Sequence, residues 1–189
     1  MEPRLVERKE MRVLGVRTRT RNSNETNLKS AKIPGLWDRF YDENVKTKIP
    51  HRMDPDVILG VYSSYENDYL GEYDLLIGAQ VSELEAVPGL SSQIILPSKY
   101  LVFKAKGQMP RAVMTTWAEI WNYFASGSAP YHRSYAADFE WYHAAKASEV
   151  DIFVAVKLTG LRPDENHCLP KTHLYHLPTG YSGVVGKGR

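Results

Sequence analysis

One order of secondary structure occurs twice along the sequence: strand, helix, strand, strand, over about residues 6–83 and again over about 93–158. Apolar residues at helical spacing predict the first helix at about 33–44 and the second at about 109–124. Two copies of one unit can pair about a pseudo-twofold axis, join their strands and leave a cleft between the two helices. We therefore expect an α+β fold of duplicated β-α-β-β units, with an antiparallel sheet and two helices.

The strand predictions depend on short runs of aromatic and β-branched residues bounded by turn residues. The predicted strands cover about residues 6–20, 57–65, 73–81, 93–105, 135–142 and 150–158. Polar residues at 66–68 supply a turn, so that the second and third strands form a hairpin. The fourth segment is either a pair of strands or one long bent strand, because its pattern breaks near Pro97.

The composition is that of a globular protein of 189 residues, of which 43% are hydrophobic and 24% are charged. The formal net charge of +2 predicts no general attraction to nucleic acid or to a membrane. The single cysteine, Cys168, excludes an internal disulfide and fits a reducing compartment. No apolar run is long enough to span a membrane, and the charged N-terminal residues do not fit a secretory signal. We therefore expect a cytoplasmic location.

The character of the sequence changes after Leu158. Residues 159–189 are rich in Gly, Pro and His and show no sustained apolar period. We predict one domain at 1–158 and a loosely packed or disordered tail at 159–189, whose removal should leave folding and ligand binding intact. The metal-capable side chains of the tail match no closed zinc spacing, so neither a metal nor a cofactor is predicted. These side chains are His167, Cys168, His173 and His176.

The fifth predicted strand places a carboxylate among aromatic residues. The two-residue alternation of a strand puts Asp138, Glu140 and Tyr142 on one face. Phe139 and Trp141 then lie on the other face. If the first face meets solvent, Glu140 is an ordinary surface charge. If that face lines a pocket, Glu140 is a buried anion that requires a cation, because burial of an unpaired charge is costly. These residues alone leave both interpretations open.

Three features in this order resemble the GyrI-like domain: the helix start Ile33-Pro34-Gly35-Leu36-Trp37, the strand Asp138-Phe139-Glu140-Trp141-Tyr142, and the strand Val150-Asp151-Ile152-Phe153-Val154. This domain is the effector-binding module at the C-terminus of AraC- and MerR-type multidrug regulators, and it also occurs alone. The resemblance covers about residues 5–158. We expect no DNA-binding domain of the chain's own, because nothing upstream of residue 5 could hold a helix-turn-helix. The tail lies outside the family pattern, which fits a gene from an integron or other mobile cassette.

The resemblance also implies a binding site. In GyrI-like domains a Glu of the corresponding strand meets the positive charge of aromatic drugs, and Glu140 matches that position, with Tyr142 two positions on. The last strand of the family often carries a Tyr that faces the same pocket, and Phe153 occupies its place here. The implied ligand-binding residues are Glu140, Tyr142, Trp37, Tyr41, Trp117, Trp121 and Phe153. No catalytic residue is predicted.

Three functions compete under this resemblance. The favoured one is the binding of cationic, aromatic or amphipathic small molecules, because aromatic walls attract a cation and Glu140 supplies the opposite charge. The second is hydrolysis of cyclopropane-containing genotoxins, with Glu140 as a general base or an electrostatic stabiliser. The third is an inhibitor that docks on a larger enzyme such as DNA gyrase. A protein partner or a homodimer can accompany any of these functions, whereas direct contact with nucleic acid or a membrane is not expected.

Overall fold

The computed structural model describes residues 2–127 and 129–158. Its strands are β1 (Arg4–Arg8), β2 (Met11–Arg21), β3 (Val57–Ser63), β4 (Glu72–Val81), β5 (Ser91–Ile95), β6 (Ser98–Lys106), β7 (Tyr131–Arg133), β8 (Ala137–His143) and β9 (Glu149–Leu158). Its helices are α1 (Asn22–Glu25), α2 (Ile33–Asp42), α3 (Val45–Lys48) and α4 (Arg111–Ala125). The predicted tail at 159–189, with its His and Cys side chains, lies outside the described residues.

Each of the two longer helices buries one stripe of side chains. Pro34 lies in the first turn of α2, where a missing N–H loses no helical hydrogen bond. The buried residues of α2 are Leu36 and Phe40, which are four residues apart and therefore share one face. The spacing is the same for Thr116 and Ile120, which are buried in α4. Both helices can therefore lie flat on a sheet.

The strands of the described residues form one antiparallel sheet in the order β1-β6-β9-β8-β3-β4-β2-β5, and β7 pairs with β9. The pair β3–β8 lies near the middle, with β4 and then β2 on one side and β9 and then β6 on the other. The α+β class and the antiparallel sheet with two main helices are confirmed. The duplication of the two halves stays a prediction.

The strand predicted at about 6–20 is in fact two strands, β1 and β2, separated by Lys9 and Glu10. These strands pair at opposite ends of the sheet, because β1 pairs with β6 while β2 pairs with β4 and β5. A continuous alternating pattern does not reveal such a change of partner. The segment predicted at 93–105 is a pair of strands, β5 and β6.

The connection between β5 and β6 shows that the sheet is strongly curled. Only Leu96 and Pro97 separate the two strands in sequence, yet six strand spacings separate them in the sheet order. In a flat sheet those spacings would amount to about 29 Å, at about 4.8 Å each. Three Cα steps of about 3.8 Å reach at most about 11 Å. The sheet must therefore curl until its two ends approach each other.

The curled sheet has an inner face and an outer face with different coverings. The inner face encloses an apolar core that draws on strands from both ends of the sheet and includes Val13, Tyr100 and Phe139. On the outer face, α2 packs over β2 and β4, and α4 packs over β6 and β9. The outer face of the central pair β3–β8 therefore lies between the two helices, and the alternation of β8 places Glu140 there.

Candidate ligand-binding site

Glu140 is a buried carboxylate, with only 2% of its surface exposed. Its Oε1 accepts hydrogen bonds from the Trp117 indole Nε1 at 2.6 Å and from the Tyr62 hydroxyl at 2.8 Å. Its Oε2 accepts a hydrogen bond from the Tyr142 hydroxyl at 2.7 Å. All three donors are electrically neutral, and none of the described Lys, Arg or His residues forms an ion pair with this carboxylate. The negative charge of Glu140 therefore has no counter-charge within the described part of the chain.

The register of the two central strands creates the space for this carboxylate. Gly60 of β3 lies directly opposite Glu140 of β8. A Cβ atom at Gly60 would lie 3.1 Å from Glu140 Oε2, closer than nine in ten real Cβ contacts. The absent side chain leaves room for the carboxylate, while Tyr62, two residues further along β3, donates to it from the same face. Trp117 reaches the same carboxylate from α4.

Burial and hydrogen bonding act in opposite directions on the ionisation of Glu140. Burial raises its pKa, and the hydrogen bonds from Trp117, Tyr142 and Tyr62 offset part of that rise because they favour the carboxylate. Burial, together with the nearby negative charge of Glu140, raises the pKa of the Tyr62 and Tyr142 hydroxyls well above the usual value. Both hydroxyls are therefore protonated donors at neutral pH.

Aromatic rings from both helices and from β3, β4 and β8 surround the carboxylate. Trp117 meets Tyr62 edge to face, with ring centroids 5.3 Å apart, and Tyr62 lies 5.6 Å from Tyr73. On the side of α2, Trp37 meets Tyr142 edge to face at 5.1 Å. Such a set of rings provides negative π faces as well as apolar area, and both attract an organic cation.

The structure places six of the seven predicted residues on this side of the sheet. Trp117 and Tyr142 donate directly to Glu140, and Trp37 packs on Tyr142. Tyr41 stacks on Trp37 with ring centroids 5.9 Å apart, and its exposed fraction of 59% places it at the outer rim. Trp121 lies one turn after Trp117 in α4 and is half-buried.

The prediction that Phe153 lines the same pocket is wrong. Phe153 lies on the inner face of the sheet, where its ring stacks on Phe139 with centroids 4.4 Å apart. The alternation of β9 turns Ile152 and Val154 towards α4 instead. The resemblance identified the correct strand but assigned the wrong face to this residue, because a single position decides the face in a strand.

Sequence reasoning missed Gly60, Tyr62 and Tyr73. The strand predicted at 57–65 was correct, and its alternation puts Gly60 and Tyr62 on one face. The sequence did not predict which strand pairs with this one, and that pairing brings Gly60 and Tyr62 to Glu140. The predicted pseudo-twofold arrangement could have indicated it, because a central pair formed by one strand from each half would place β3 beside β8.

A second buried carboxylate lies on the same face of β8 and has a different set of partners. Asp138 is fully buried, and its Oδ2 accepts hydrogen bonds from Arg133 at 2.5 Å and from the Tyr65 hydroxyl at 2.8 Å. Its Oδ1 accepts the backbone N–H of Ala155 at 2.7 Å. The Arg133 side chain is only 5% exposed, so this is an interior ion pair. Asp138 therefore has an internal counter-charge, whereas Glu140 does not.

Other kinds of site are not indicated by the described residues. No cluster of three or more His, Cys, Asp or Glu side chains in the described part of the chain could hold a metal ion. None of the described helices combines the length and apolar character needed to cross a membrane. Two open surface clefts, of about 460 and 570 Å³, lie beside Val87 and beside Tyr131, and Glu140 lines neither of them.

Comparison with known proteins identifies the class to which this fold and site belong. Residues 4–156 match the family of integron-associated effector binding proteins. The chain belongs to that family.

Individual relatives agree with this assignment. The chain is 30% identical over 152 residues to YobU of Bacillus subtilis, which is named as a candidate transcriptional regulator; the match covers 77% of this chain and 92% of YobU. It is also similar to the integron cassette protein VCH_CASS2 from the mobile metagenome of Vibrio cholerae, with 31% identity and a TM-score of 0.69 over 82% of this chain and 96% of that one. The fold is shared with SAV2435, which was solved bound to tetraphenylphosphonium, with 24% identity and a TM-score of 0.67 over 83% of this chain and 94% of that one.

Proposed function

We propose that this protein binds cationic aromatic or amphipathic small molecules, and that Glu140 meets their positive charge. One observation carries the proposal: Glu140 is buried, and the groups that hold it are neutral donors. A buried carboxylate without a counter-charge is costly to the folded protein. A positively charged ligand would remove that cost on binding, so the cost becomes part of the affinity for a cation.

The aromatic surroundings favour large, delocalised cations over small ones. Such a cation loses little hydration when it leaves water, and each ring face it meets contributes roughly 0.5 to 2 kcal/mol of cation–π attraction. Burial of its apolar surface against Trp37, Tyr62 and Trp117 adds the hydrophobic contribution. Flat rings and one charge set few geometric demands, so we expect the site to accept several cations of different shape.

Access to Glu140 requires movement of aromatic side chains, because the carboxylate is only 2% exposed. The exposed Tyr41 and its stacking partner Trp37 form the outermost part of the ring cluster and mark the route that we propose. Both side chains lie on α2, and neither donates a hydrogen bond to Glu140. They can therefore change rotamer without breaking the bonds that hold the carboxylate.

The family supports the binding of an effector molecule, since its members are effector-binding proteins, but it does not specify the charge of that molecule. Tetraphenylphosphonium, the ligand of SAV2435, is a large aromatic cation of the kind that the Glu140 site would accept. It is therefore the first probe to use with this chain.

The test compares Glu140→Gln with the unaltered protein, because Gln keeps the shape of the side chain and removes its charge. The affinity for tetraphenylphosphonium should fall by about 1.5 to 3 kcal/mol, or roughly 10- to 150-fold. Neutral triphenylphosphine oxide, which keeps three of the four phenyl rings and lacks the charge, should lose much less. Glu149→Gln is the control, because Glu149 is a carboxylate of the neighbouring strand that pairs with Lys104 and Lys106 at the surface. Isothermal titration of both compounds against the three proteins gives the answer; equal losses for both compounds in Glu140→Gln would contradict the proposal.

The same hydrogen bonds favour binding over hydrolysis. Three donors already occupy three of the about four lone-pair positions of the Glu140 carboxylate, so only one position, on Oε2, remains for the substrate proton that a general base must accept. We therefore expect a cyclopropane-containing alkylator to disappear no faster with the protein than in buffer, as followed by chromatography. Ring opening that depends on the protein and is lost in Glu140→Gln would replace the binding proposal with a hydrolase.

A further inference from the structure

The Arg133–Asp138 ion pair beside Glu140 contains the groups expected of a cation-binding site, and the Arg133 guanidinium occupies the place of the cation. The guanidinium of Arg133 lies over the Tyr135 ring at 4.4 Å, over the Trp117 ring at 5.8 Å and over the Tyr65 ring at 5.9 Å. Its charge is neutralised by Asp138. A buried carboxylate, three aromatic rings and one cation are the same kinds of group that the proposed ligand would complete at Glu140.

The two positions are physically continuous. Trp117 belongs to both, because its indole N–H donates to Glu140 while its ring lies beneath the Arg133 guanidinium. A chain of ring contacts also joins them, from Tyr62 to Tyr73 at 5.6 Å and from Tyr73 to Tyr65 at 5.8 Å. The Cα atoms of residues two apart in a strand are separated by about 6.5 to 7 Å. The carboxylates of β8 therefore lie within the span of one flat two-ring ligand.

We propose that Arg133 is a specificity-determining residue that fills the second cation position of the site and so restricts it to ligands with a single positive charge. This inference rests on the function proposed above and extends it to the charge of the ligand. Asp138, Glu140 and Arg133 together leave one net negative charge beside the aromatic rings. A second positive charge on a ligand would meet Arg133 rather than a free carboxylate.

This charge balance predicts how the preference for a monocation or a dication changes in three variants relative to the unaltered protein. Arg133→Gln leaves two carboxylates without a counter-charge and should favour a dication. Asp138→Asn leaves Arg133 and Glu140 to cancel each other and should weaken the binding of any cation. The double variant, with both Arg133→Gln and Asp138→Asn, removes the whole ion pair and leaves one net negative charge, that of Glu140. Its preference should therefore return to that of the unaltered protein.

Two flat probes of nearly the same shape separate the effect of charge from the effect of fit. N,N′-dimethyl-4,4′-bipyridinium carries two positive charges, and N-methyl-4-phenylpyridinium carries one. The measured quantity is the ratio of dication affinity to monocation affinity, obtained from tryptophan fluorescence titrations. In Arg133→Gln this ratio should rise by about tenfold or more. The double variant should reverse the rise. An unchanged ratio would overturn the proposal, because a purely structural ion pair would alter both affinities alike.

The design remains decisive if Arg133→Gln does not fold. Asp138→Asn should then bind the monocation at least about tenfold more weakly than the double variant, although both lack the Asp138 carboxylate. Equal monocation affinities in these two variants would overturn the role of Arg133.

The unaltered protein provides the test of the underlying function. If it bound N-methyl-4-phenylpyridinium no better than neutral 4-methylbiphenyl, the proposed function itself would fail. If it preferred the cation but the affinity ratio did not follow the charge balance, only the role of Arg133 would fail.

Discussion

Asp138 and Glu140 are two carboxylates on one face of β8, and they have opposite relations to their surroundings. Both are at most 2% exposed, and both accept hydrogen bonds from tyrosine hydroxyls. Asp138 also pairs with the guanidinium of Arg133 and accepts a backbone N–H from β9. Glu140 has three aromatic donors and no cation among the described residues.

We propose that this difference separates a carboxylate that supports the fold from one that is available to a ligand. A buried charge with an internal partner is satisfied in the free protein, so removal of either member leaves an uncompensated charge. A buried charge held only by neutral donors is kept ionisable by their hydrogen bonds, but its Coulomb attraction remains available to an incoming cation. Burial alone does not distinguish the two carboxylates, whereas their partners do.

The largest expected effect comes from breaking the internal pair. Arg133→Gln should lower the free energy of unfolding by about 3 to 5 kcal/mol, because Asp138 is left buried without its counter-charge. Urea denaturation followed by circular dichroism measures this loss. Arg39→Gln breaks an exposed pair with Glu43 in α2 and serves as the control, with little change expected. A loss in Arg133→Gln no larger than in the control would show that the interior pair does not support the fold.

A smaller effect should follow from removing one donor to Glu140. The proposed cation binding needs the ionised carboxylate, so affinity should disappear as the pH falls through the raised pKa of Glu140. Trp117→Phe keeps a ring but removes the indole N–H, which should raise that pKa further. A hydrogen bond to a charged group contributes about 1.5 to 3 kcal/mol, so the midpoint of the pH dependence should move upward by about one to two pH units.

Trp37→Phe is the matched control for this shift. It also changes a tryptophan of the ring cluster, but its indole makes no hydrogen bond to Glu140. Its affinity can change while the pH midpoint of cation binding stays in place. Equal shifts in both variants would mean that ring area, rather than the indole N–H, sets the ionisation of Glu140.

The two faces of the sheet offer a third comparison. Phe153→Leu removes a ring that stacks on Phe139 in the inner core, and it should lower the free energy of unfolding by about 1.5 kcal/mol. Cation affinity should not change, because the side chain lies on the face opposite Glu140. A loss of affinity for tetraphenylphosphonium, measured by titration of the folded variant, would restore Phe153 to the binding site.

The sequence predicted the helices and strands that carry this site better than it predicted which residues contact one another. Periodicity correctly placed Trp117 on a helix and Glu140 on a strand, because the 3.6-residue and two-residue patterns are local properties. The position of Tyr62 beside Glu140 depends on the pairing of β3 with β8, which joins residues 78 apart in sequence. Local patterns do not encode such a pairing.

Two further features that the sequence did not predict have the same physical origin: the pairing of Arg133 with Asp138 and the inward orientation of Phe153. Sequence did not reveal that Arg133 satisfies Asp138, because β7 has only three residues, too few for a two-residue period to be recognised. It also did not reveal that Phe153 faces inwards, because a shift of one position along a strand reverses the face. Both depend on register, which is fixed only when the strands assemble.

The most direct test of the account is the stability of the free protein as a function of pH, with and without the Glu140 charge. A carboxyl group whose pKa is raised on folding contributes stability that is fully present below its unfolded pKa and is lost as the pH rises through its folded pKa. Without any cation present, Glu140→Gln should therefore be more stable than the unaltered protein by about 1 kcal/mol at neutral pH. This advantage should vanish in acid, where Glu140 is protonated in both the folded and the unfolded protein. A variant that is less stable than the unaltered protein at neutral pH, or a difference that does not change with pH, would show that the charge of Glu140 is already compensated within the protein.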